Sequence, residues 1–176
     1  MNSFAGIEWL PSPGLTPESW RYRTDSWQES VLLWRAKSPL DEVTISERIA
    51  REKLAELEAM IRAGNLAAAE ISIDHYRHYI QHAEAALAKV APQASADVTL
   101  KFATALLEHQ FIITSDYLDL PRDSRRVAAG MIETAAKAYA NLRAQLPRRI
   151  QESLFFKEEE VRWSRQQAEG ADAQGL

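Results

Sequence analysis

The stretch from Thr44 to Val90 reads TISERIAREKLAELEAMIRAGNLAAAEISIDHYRHYIQHAEAALAKV and decides the fold. Its apolar residues recur at intervals of three and four, which places them on one face of each of two helices separated by Gly64-Asn65. The first of these helices, about 45–63, is capped by Thr44 or Ser46. Because the break is short, the two helices are predicted to pack antiparallel. The apolar faces comprise Ala50, Leu54, Leu57 and Ile61 in the first helix, and Leu66, Ala69, Ile73, Tyr76, Ile80, Ala83, Leu87 and Val90 in the second.

The sequence predicts further helices on both sides of this hairpin. A helix starts at Thr16, a good N-cap, and ends at Ser38-Pro39. After Pro92, another helix carries two apolar stripes, which implies that other helices cover it from two sides. The next helix returns along the bundle and ends near Leu146. Since no alternating or hairpin-turn pattern occurs, the predicted fold class is all-α, an antiparallel four- or five-helix bundle.

The chain divides into four segments around one core. Its 176 residues, of which 46% are hydrophobic, suffice for a single domain. A proline at position 147 kinks or restarts the chain before a final helix. The predicted segments are an extended N-terminal lead-in at 1–15, a helical bundle at 16–146, a kinked C-terminal helix at 147–168 and a disordered tail at 169–176.

Composition excludes several classes of function. The net charge of -4 leaves no basic excess to displace counterions from a phosphate backbone, so nucleic acid is not an expected partner. The chain has no cysteine, which excludes disulfides, thiolate nucleophiles and cysteine-built metal sites. Its apolar runs are too short for a transmembrane segment, and no signal segment follows Met1. We therefore expect either a cytosolic protein or one whose leader has been removed.

The N-terminal sequence resembles an uncharacterised family of bacterial helical domains of unknown function, whose members begin with a Pro-Gly-x-x-Pro-x-Ser lead-in after a signal or membrane segment. The resemblance rests on Ser12 to Trp20 (SPGLTPESW), Glu47 to Asn65, Leu107-Glu108-His109 and the returning helix from Pro121 to Leu142. It implies a helical bundle in an extracytoplasmic or cell-envelope location, sometimes near sigma-factor regulation. It supplies no active residues.

Three of the four histidines lie within eight residues, at His75, His78 and His82. Spacings of three and four place their rings on consecutive helical turns, where imidazoles can bind zinc, copper or nickel. They lie opposite the apolar seam, so they are expected to point to solvent or to a partner. The favoured interpretation is a solvated polar face. The alternatives are a transition-metal site and a pH-responsive contact.

The remaining histidine, His109, interrupts an apolar stripe and is predicted to be buried, neutral and bonded to a carbonyl or a carboxylate. The Glu-x-x-His pairs of di-iron bundles are missing, as are phosphate-binding loops and nucleophile elbows. The carboxylates of Glu52, Glu56 and Glu58 are expected to be ordinary exposed charges. No catalytic residue is therefore predicted.

Two sets of aromatic residues could form recognition surfaces. The stripe of Trp20, Trp27 and Trp34 is expected to pack into the core, since large aromatic residues are usually buried. Phe155, Phe156 and Trp163 lie near the end of the chain, where few structured neighbours remain to bury them. These three are the predicted partner-binding residues.

We therefore expect a non-enzymatic interaction or sensory module without a cofactor, placed outside the cytoplasm as the resemblance implies. It would meet a protein partner or a second copy through its C-terminal helix and the outer face of the histidine helix. The first alternative is a bundle that binds Zn, Cu or Ni through His75, His78 and His82. The second is an enzyme that uses His109 with a buried carboxylate.

Overall fold

The computed structural model describes Phe4 and residues 31–173, apart from the side chains of Gln93, Leu118 and residues 171–173. The described part contains five long helices and no strand, which confirms the all-α bundle. A single 3-10 turn, Tyr117–Asp119, follows the third helix. The helices are α1 (Pro39–Arg62), α2 (Leu66–Leu87), α3 (Pro92–Asp116), α4 (Arg122–Arg143) and α5 (Arg148–Ala173).

The hairpin of α1 and α2 forms as its sequence predicts. Gly64 turns the chain with a φ of +73°, a left-handed conformation that suits glycine, and Asn65 then caps α2. The predicted start of α1 near residue 45 is wrong. Ser38 accepts a hydrogen bond from the Asp41 amide at 3.2 Å, and Pro39 occupies the first turn, so the same two residues that break the preceding segment begin α1.

Two antiparallel hairpins lie side by side in the bundle. The first is α1 with α2, and the second is α3 with α4. Arg62 at the end of α1 pairs with Asp116 at the end of α3 at 2.7 Å, so these two neighbours run parallel. Contacts from α4 to both ends of α2 show that those two helices are parallel as well. The short connection from α2 to α3 therefore crosses the bundle diagonally.

The predicted apolar faces of α1 and α2 lie in the core. Only Leu66 and Val90, at the ends of the second seam, remain partly exposed. Each large side chain that is removed from water contributes on the order of 1.5–3 kcal/mol of transfer free energy. The largest fully buried hydrophobic side chains are those of Ile49, Leu54, Leu57, Tyr76, Ile80, Phe102, Leu106, Leu107, Met131 and Leu142.

The C-terminal helix α5 packs on α3 through one narrow stripe. Pro147 restarts the chain rather than kinking a continuous helix, and its carbonyl accepts the amides of the first turn of α5. Leu154, Val161 and Ala168, spaced seven residues apart, are buried. The prediction of a disordered tail from residue 169 is wrong for residues 169–173, which remain helical. Buried Ala168 anchors this end, and the local sequence is rich in alanine, the best helix former.

Near the N-terminus the structure describes few residues. Phe4 is buried, with its ring stacked on that of Phe111 at 4.4 Å between centroids and Lys157 Nζ 4.2 Å from its centroid. The rest of the lead-in, and the predicted helix from Thr16 as far as residue 30, with Trp20 and Trp27, lie outside the described residues.

Trp34 does not pack into the core as predicted, because it is 85% exposed. It belongs to a helical segment at residues 31–34 in which Leu33, not Trp34, packs against the core. Adjacent residues of a helix point about 100° apart, so the two side chains cannot share one face.

Replacement of Leu154 by Ala tests how α5 is held. We expect the free energy of unfolding to fall by about 2–5 kcal/mol, since the change removes buried methyl groups and leaves a cavity. Phe156→Ala on the exposed side of α5 is the control and should change it by less than about 0.5 kcal/mol. Urea denaturation followed by circular dichroism measures both. Equal effects of the two substitutions would contradict the observed docking of α5.

Candidate functional site

The three clustered histidines of α2 do not share one environment. His78 is exposed, whereas His75 and His82 are half-buried. The rings of His78 and His82 lie 6.5 Å apart, and His82 Nδ1 is 3.0 Å from the hydroxyl of Ser46 on α1. The prediction that all three face away from the bundle is therefore wrong for His82. Because α1 and α4 both flank α2, its solvent-facing side is narrower than half of the helix.

This arrangement bears on the predicted metal site. Within residues 31–173, no group of three or more histidine, aspartate or glutamate side chains converges on one point. The structure brings His78 and His82 together, but the third predicted ligand, His75, does not complete a set with them. The histidines of α2 thus offer a two-imidazole pair, one member of which already has a partner.

His109 of α3 forms a buried pair with Tyr76 of α2. Its Nδ1 lies 3.0 Å from the Tyr76 hydroxyl, and no described group bonds to its Nε2. Burial, with a smaller contribution from the positive charge of Arg51, lowers the pKa of His109 to about 3. Burial, and secondarily the charge of Glu47, raises the pKa of Tyr76 above its ordinary value. Both rings are therefore neutral at physiological pH.

The sequence correctly predicts that His109 is buried and neutral, but its predicted partner is wrong. The ring contacts a phenol hydroxyl rather than a carbonyl or a carboxylate, because the residue that faces it across the core is Tyr76. No carboxylate in the described part of the chain bonds to either ring nitrogen. The histidine and carboxylate pair required by the enzyme alternative is not formed there.

Two groups of charged residues were missed by sequence reasoning. Lys53 and Glu56 of α1 are each only 1% exposed and form an ion pair at 3.0 Å, so the expectation that Glu56 is an exposed charge is wrong. Opposite charges three residues apart lie on adjacent turns, which allows them to be buried together. That spacing within an apolar stretch is the signal that could have identified the pair.

The second group lines a cavity of about 470 Å³ between α1 and α3. Glu47, Arg51 and Glu108 lie at its edge beside apolar residues such as Val43 and Phe102. Burial raises the pKa of Glu47; Arg51 opposes this effect, and the charge of Glu108 adds to it. The two carboxylates come from different helices, so only the packing of α1 on α3 reveals that they are neighbours.

The aromatic residues of α5 lie on its solvent side. Phe155, Phe156 and Trp163 are 51%, 69% and 60% exposed. Phe156 and Trp163 are seven residues apart, which places them two turns apart on one face. The ring of Phe155 meets that of Phe156 edge-on at 5.6 Å between centroids. The structure thus places Phe156 and Trp163 on one exposed side of α5, and Phe155 lies on the flank beside them with its ring against that of Phe156; together the three form the aromatic face.

The depressed pKa of His109 predicts how stability depends on pH. Between about pH 6.5 and pH 3 the unfolded chain binds a proton that the folded chain excludes, so stability rises with pH across this window. This one group contributes a slope of up to about 1.4 kcal/mol per pH unit. We expect His109→Gln to reduce the slope, measured by urea denaturation from pH 4 to 7, because the glutamine side chain does not titrate. An unchanged slope in the His109 variant would contradict the conclusion that burial lowers the pKa of His109.

Comparison with known proteins identifies the family of the chain. No curated protein and no solved structure matches it. A family described as a domain of unknown function, DUF5667, matches residues 14–115, a region that includes α1, α2 and nearly all of α3. The likeness proposed for Pro121 to Leu142 lies beyond the matched region, as does α5. Because residues 14–115 make up more than half of the 176 residues, the chain belongs to this DUF5667 family.

Proposed function

We propose that this protein is a non-enzymatic interaction module and that the aromatic face of α5 (Phe155, Phe156 and Trp163) binds an amphipathic, basic helix of a partner protein. The observation that supports this proposal is the exposure of three large aromatic side chains on one helix. Aromatic anchors supply much of the binding energy at protein interfaces.

Within residues 31–173, the packing of α5 on the bundle does not use this face. The residues that dock α5 on α3 are Leu154, Val161 and Ala168, on the opposite side of the helix. Phe156 and Trp163 keep more than half of their surface in water, so burying them in a complex would release a large apolar area. A helical partner fits a helical face, because its own residues at spacings of three, four and seven can lie along it.

Charge around the aromatic face indicates the chemistry of the partner. Glu159 and Glu160 lie between Phe156 and Trp163, and Glu152 lies one turn before Phe156. Glu159 and Glu152 also pair with the exposed Arg162 and Arg148. Lysine and arginine residues that flank an apolar stripe on the partner would complement these carboxylates.

A second copy of this chain fits the aromatic face less well than a basic helix does. If Phe156 of one copy met Trp163 of another in antiparallel fashion, Glu159 and Glu160 of the two copies would face each other.

The proposal includes a location outside the cytoplasm, in the cell envelope of a bacterium. Its support is the resemblance of the lead-in at Pro13 to Ser19 to the extracytoplasmic proteins described above. Within the described part of the chain, none of the helices has the length and apolar character needed to cross a membrane. In this setting the module would transmit or sense a signal through the helix that α5 binds.

The docking proposal can be tested with synthetic helical peptides. We expect a Leu/Lys amphipathic peptide to bind with micromolar affinity by calorimetry, and its Leu/Glu counterpart not to bind. Trp163→Ala and Phe156→Ala should each weaken binding at least about tenfold, as expected for aromatic anchors. Trp34→Ala is the matched control, because it removes an exposed tryptophan elsewhere on the chain.

Several results would contradict this proposal. Binding that is equal for the acidic and basic peptides, or that is lost equally in the Trp34 variant, would show that the face is not selective. Absence of binding by the basic peptide would overturn the proposed partner chemistry. A dimer in analytical ultracentrifugation that Trp163→Ala dissociates would assign the face to a second copy instead.

The second candidate function is transition-metal binding, favoured by the proximity of the His78 and His82 rings at 6.5 Å. Two imidazoles one turn apart can chelate nickel, copper or zinc if His82 turns away from Ser46. Binding at a hundredfold excess over the dissociation constant would stabilise the fold by about 2.7 kcal/mol.

We therefore expect, for this candidate, a melting temperature that rises by about 5 °C or more with nickel. His78→Ala should abolish the rise, and His109→Gln, which changes a histidine far from the pair, should preserve it. The same rise in the His78 variant, or no rise in the unaltered protein, would exclude this pair as the metal site.

A further inference from the structure

A long open trench separates α4 from α5. It consists of a cavity of about 630 Å³ and a second of about 410 Å³, which share Arg165 and Glu169 in their walls. The larger cavity alone has the size of a typical small-molecule site. Its apolar surface comes from Leu107 of α3, Ala136 of α4 and Val161 of α5.

The trench exists because α5 packs on α3 and not on α4. The wall that α4 contributes includes two small residues, Ala129 and Ala136, which do not reach across the gap, beside Ile132 and Glu133. One polar cluster bridges the two helices at one end. There Tyr139 and Arg143 of α4 donate hydrogen bonds to Glu158 of α5.

The charged groups of the trench differ in how well they are satisfied. Glu158 is held by Tyr139 and Arg143, and these hydrogen bonds, working against burial, keep the pKa of its carboxyl below the ordinary value. Arg162 pairs with Glu159 at 2.6 Å. These groups therefore have little capacity left for a ligand.

Besides Glu158, the walls of the trench contain the carboxylates of Glu133 and Glu169. Among the described cations of the trench, Arg165 is the exception. It is half-buried and lines both cavities, yet its nearest carboxylate oxygen, on Glu169, is 3.9 Å away, beyond hydrogen-bond distance. Buried Gln110 lies in the same wall with its Nε2 committed to the Leu106 carbonyl. Among the described residues this guanidinium has no acceptor within hydrogen-bond distance, and it lies beside an apolar floor, so it is suited to a carboxylate that carries an apolar group.

We propose that the trench binds a small organic anion whose carboxylate pairs with Arg165 and whose apolar part lies on Leu107, Ala136 and Val161. This site goes beyond the proposed docking function, since it lies on the inner side of α5, away from Phe156 and Trp163. The ligand would occupy the gap between α4 and α5 and hold both helices in place.

Benzoate and hexanoate are suitable probes, with benzyl alcohol and hexanol as uncharged controls of the same shape. At constant ionic strength, we expect both carboxylates to raise the melting temperature until the effect saturates. Calorimetry should give a dissociation constant for each carboxylate and should detect no binding of the alcohols. Arg165→Gln should weaken binding about tenfold or more, the loss expected for a charge-assisted hydrogen bond. Arg148→Gln, which changes an exposed arginine of α5 outside the trench, is the matched control.

A second variant tests the site without changing its charge. Ala136→Leu should fill the trench, leave the circular dichroism spectrum intact and abolish binding of benzoate. Equal affinity of benzoate for the unaltered protein and the Arg165 variant would overturn the proposal, as would retained binding in the Ala136 variant. The proposal would also be overturned if benzoate did not bind saturably, or if the alcohols bound as tightly as the carboxylates. Substitutions at Phe156 and Trp163 should not change the affinity for benzoate. Failure of the proposed anion site is therefore distinguishable from failure of the docking proposal.

Discussion

Burial of α3 is the constraint on which the rest of the structure depends. This helix contacts α1, α4 and α5, and the ring of Phe4 stacks on its Phe111. A helix covered on three sides must be apolar over most of its circumference, which explains why two apolar stripes occur in its sequence. The polar residues that are buried on this helix each use a hydrogen bond within the protein; they are Ser95, Thr99, His109, Gln110 and Thr114.

Much of the fold could be predicted because local signals and long-range packing agree. The seam of α1 and α2, the turn at Gly64 and the breaks at prolines all follow from residues close in sequence. The order of helices around the bundle could not be predicted in this way. It depends on contacts such as Arg62 with Asp116, whose partners are 54 residues apart. Periodicity shows that a face is apolar but does not identify the helix that covers it.

The same distinction applies to the candidate sites. Exposure of Phe155, Phe156 and Trp163 could be predicted, because it follows from too few remaining elements to cover them. The environment of His82 could not, since its partner Ser46 becomes a neighbour only through the register of the hairpin. The burial of Lys53 and Glu56 was also missed. Charged residues are usually exposed. Lys53 and Glu56 can be buried because their ion pair offsets the free energy of removing both charges from water.

The weak attachment of α5 connects its two surfaces. Its docking depends on a stripe of three buried side chains and one polar cluster around Glu158, while its contact with α4 is largely replaced by cavities. A helix with few buried contacts is among the first parts of a fold to open. A ligand that binds only when α5 is docked must therefore stabilise the docked state by mass action. If the aromatic face binds its partner better in one of these two states, a ligand in the trench and a partner on the outer face are coupled, and the coupling is reciprocal. Under that condition, the trench ligand and the partner both shift the same equilibrium between docked and undocked α5.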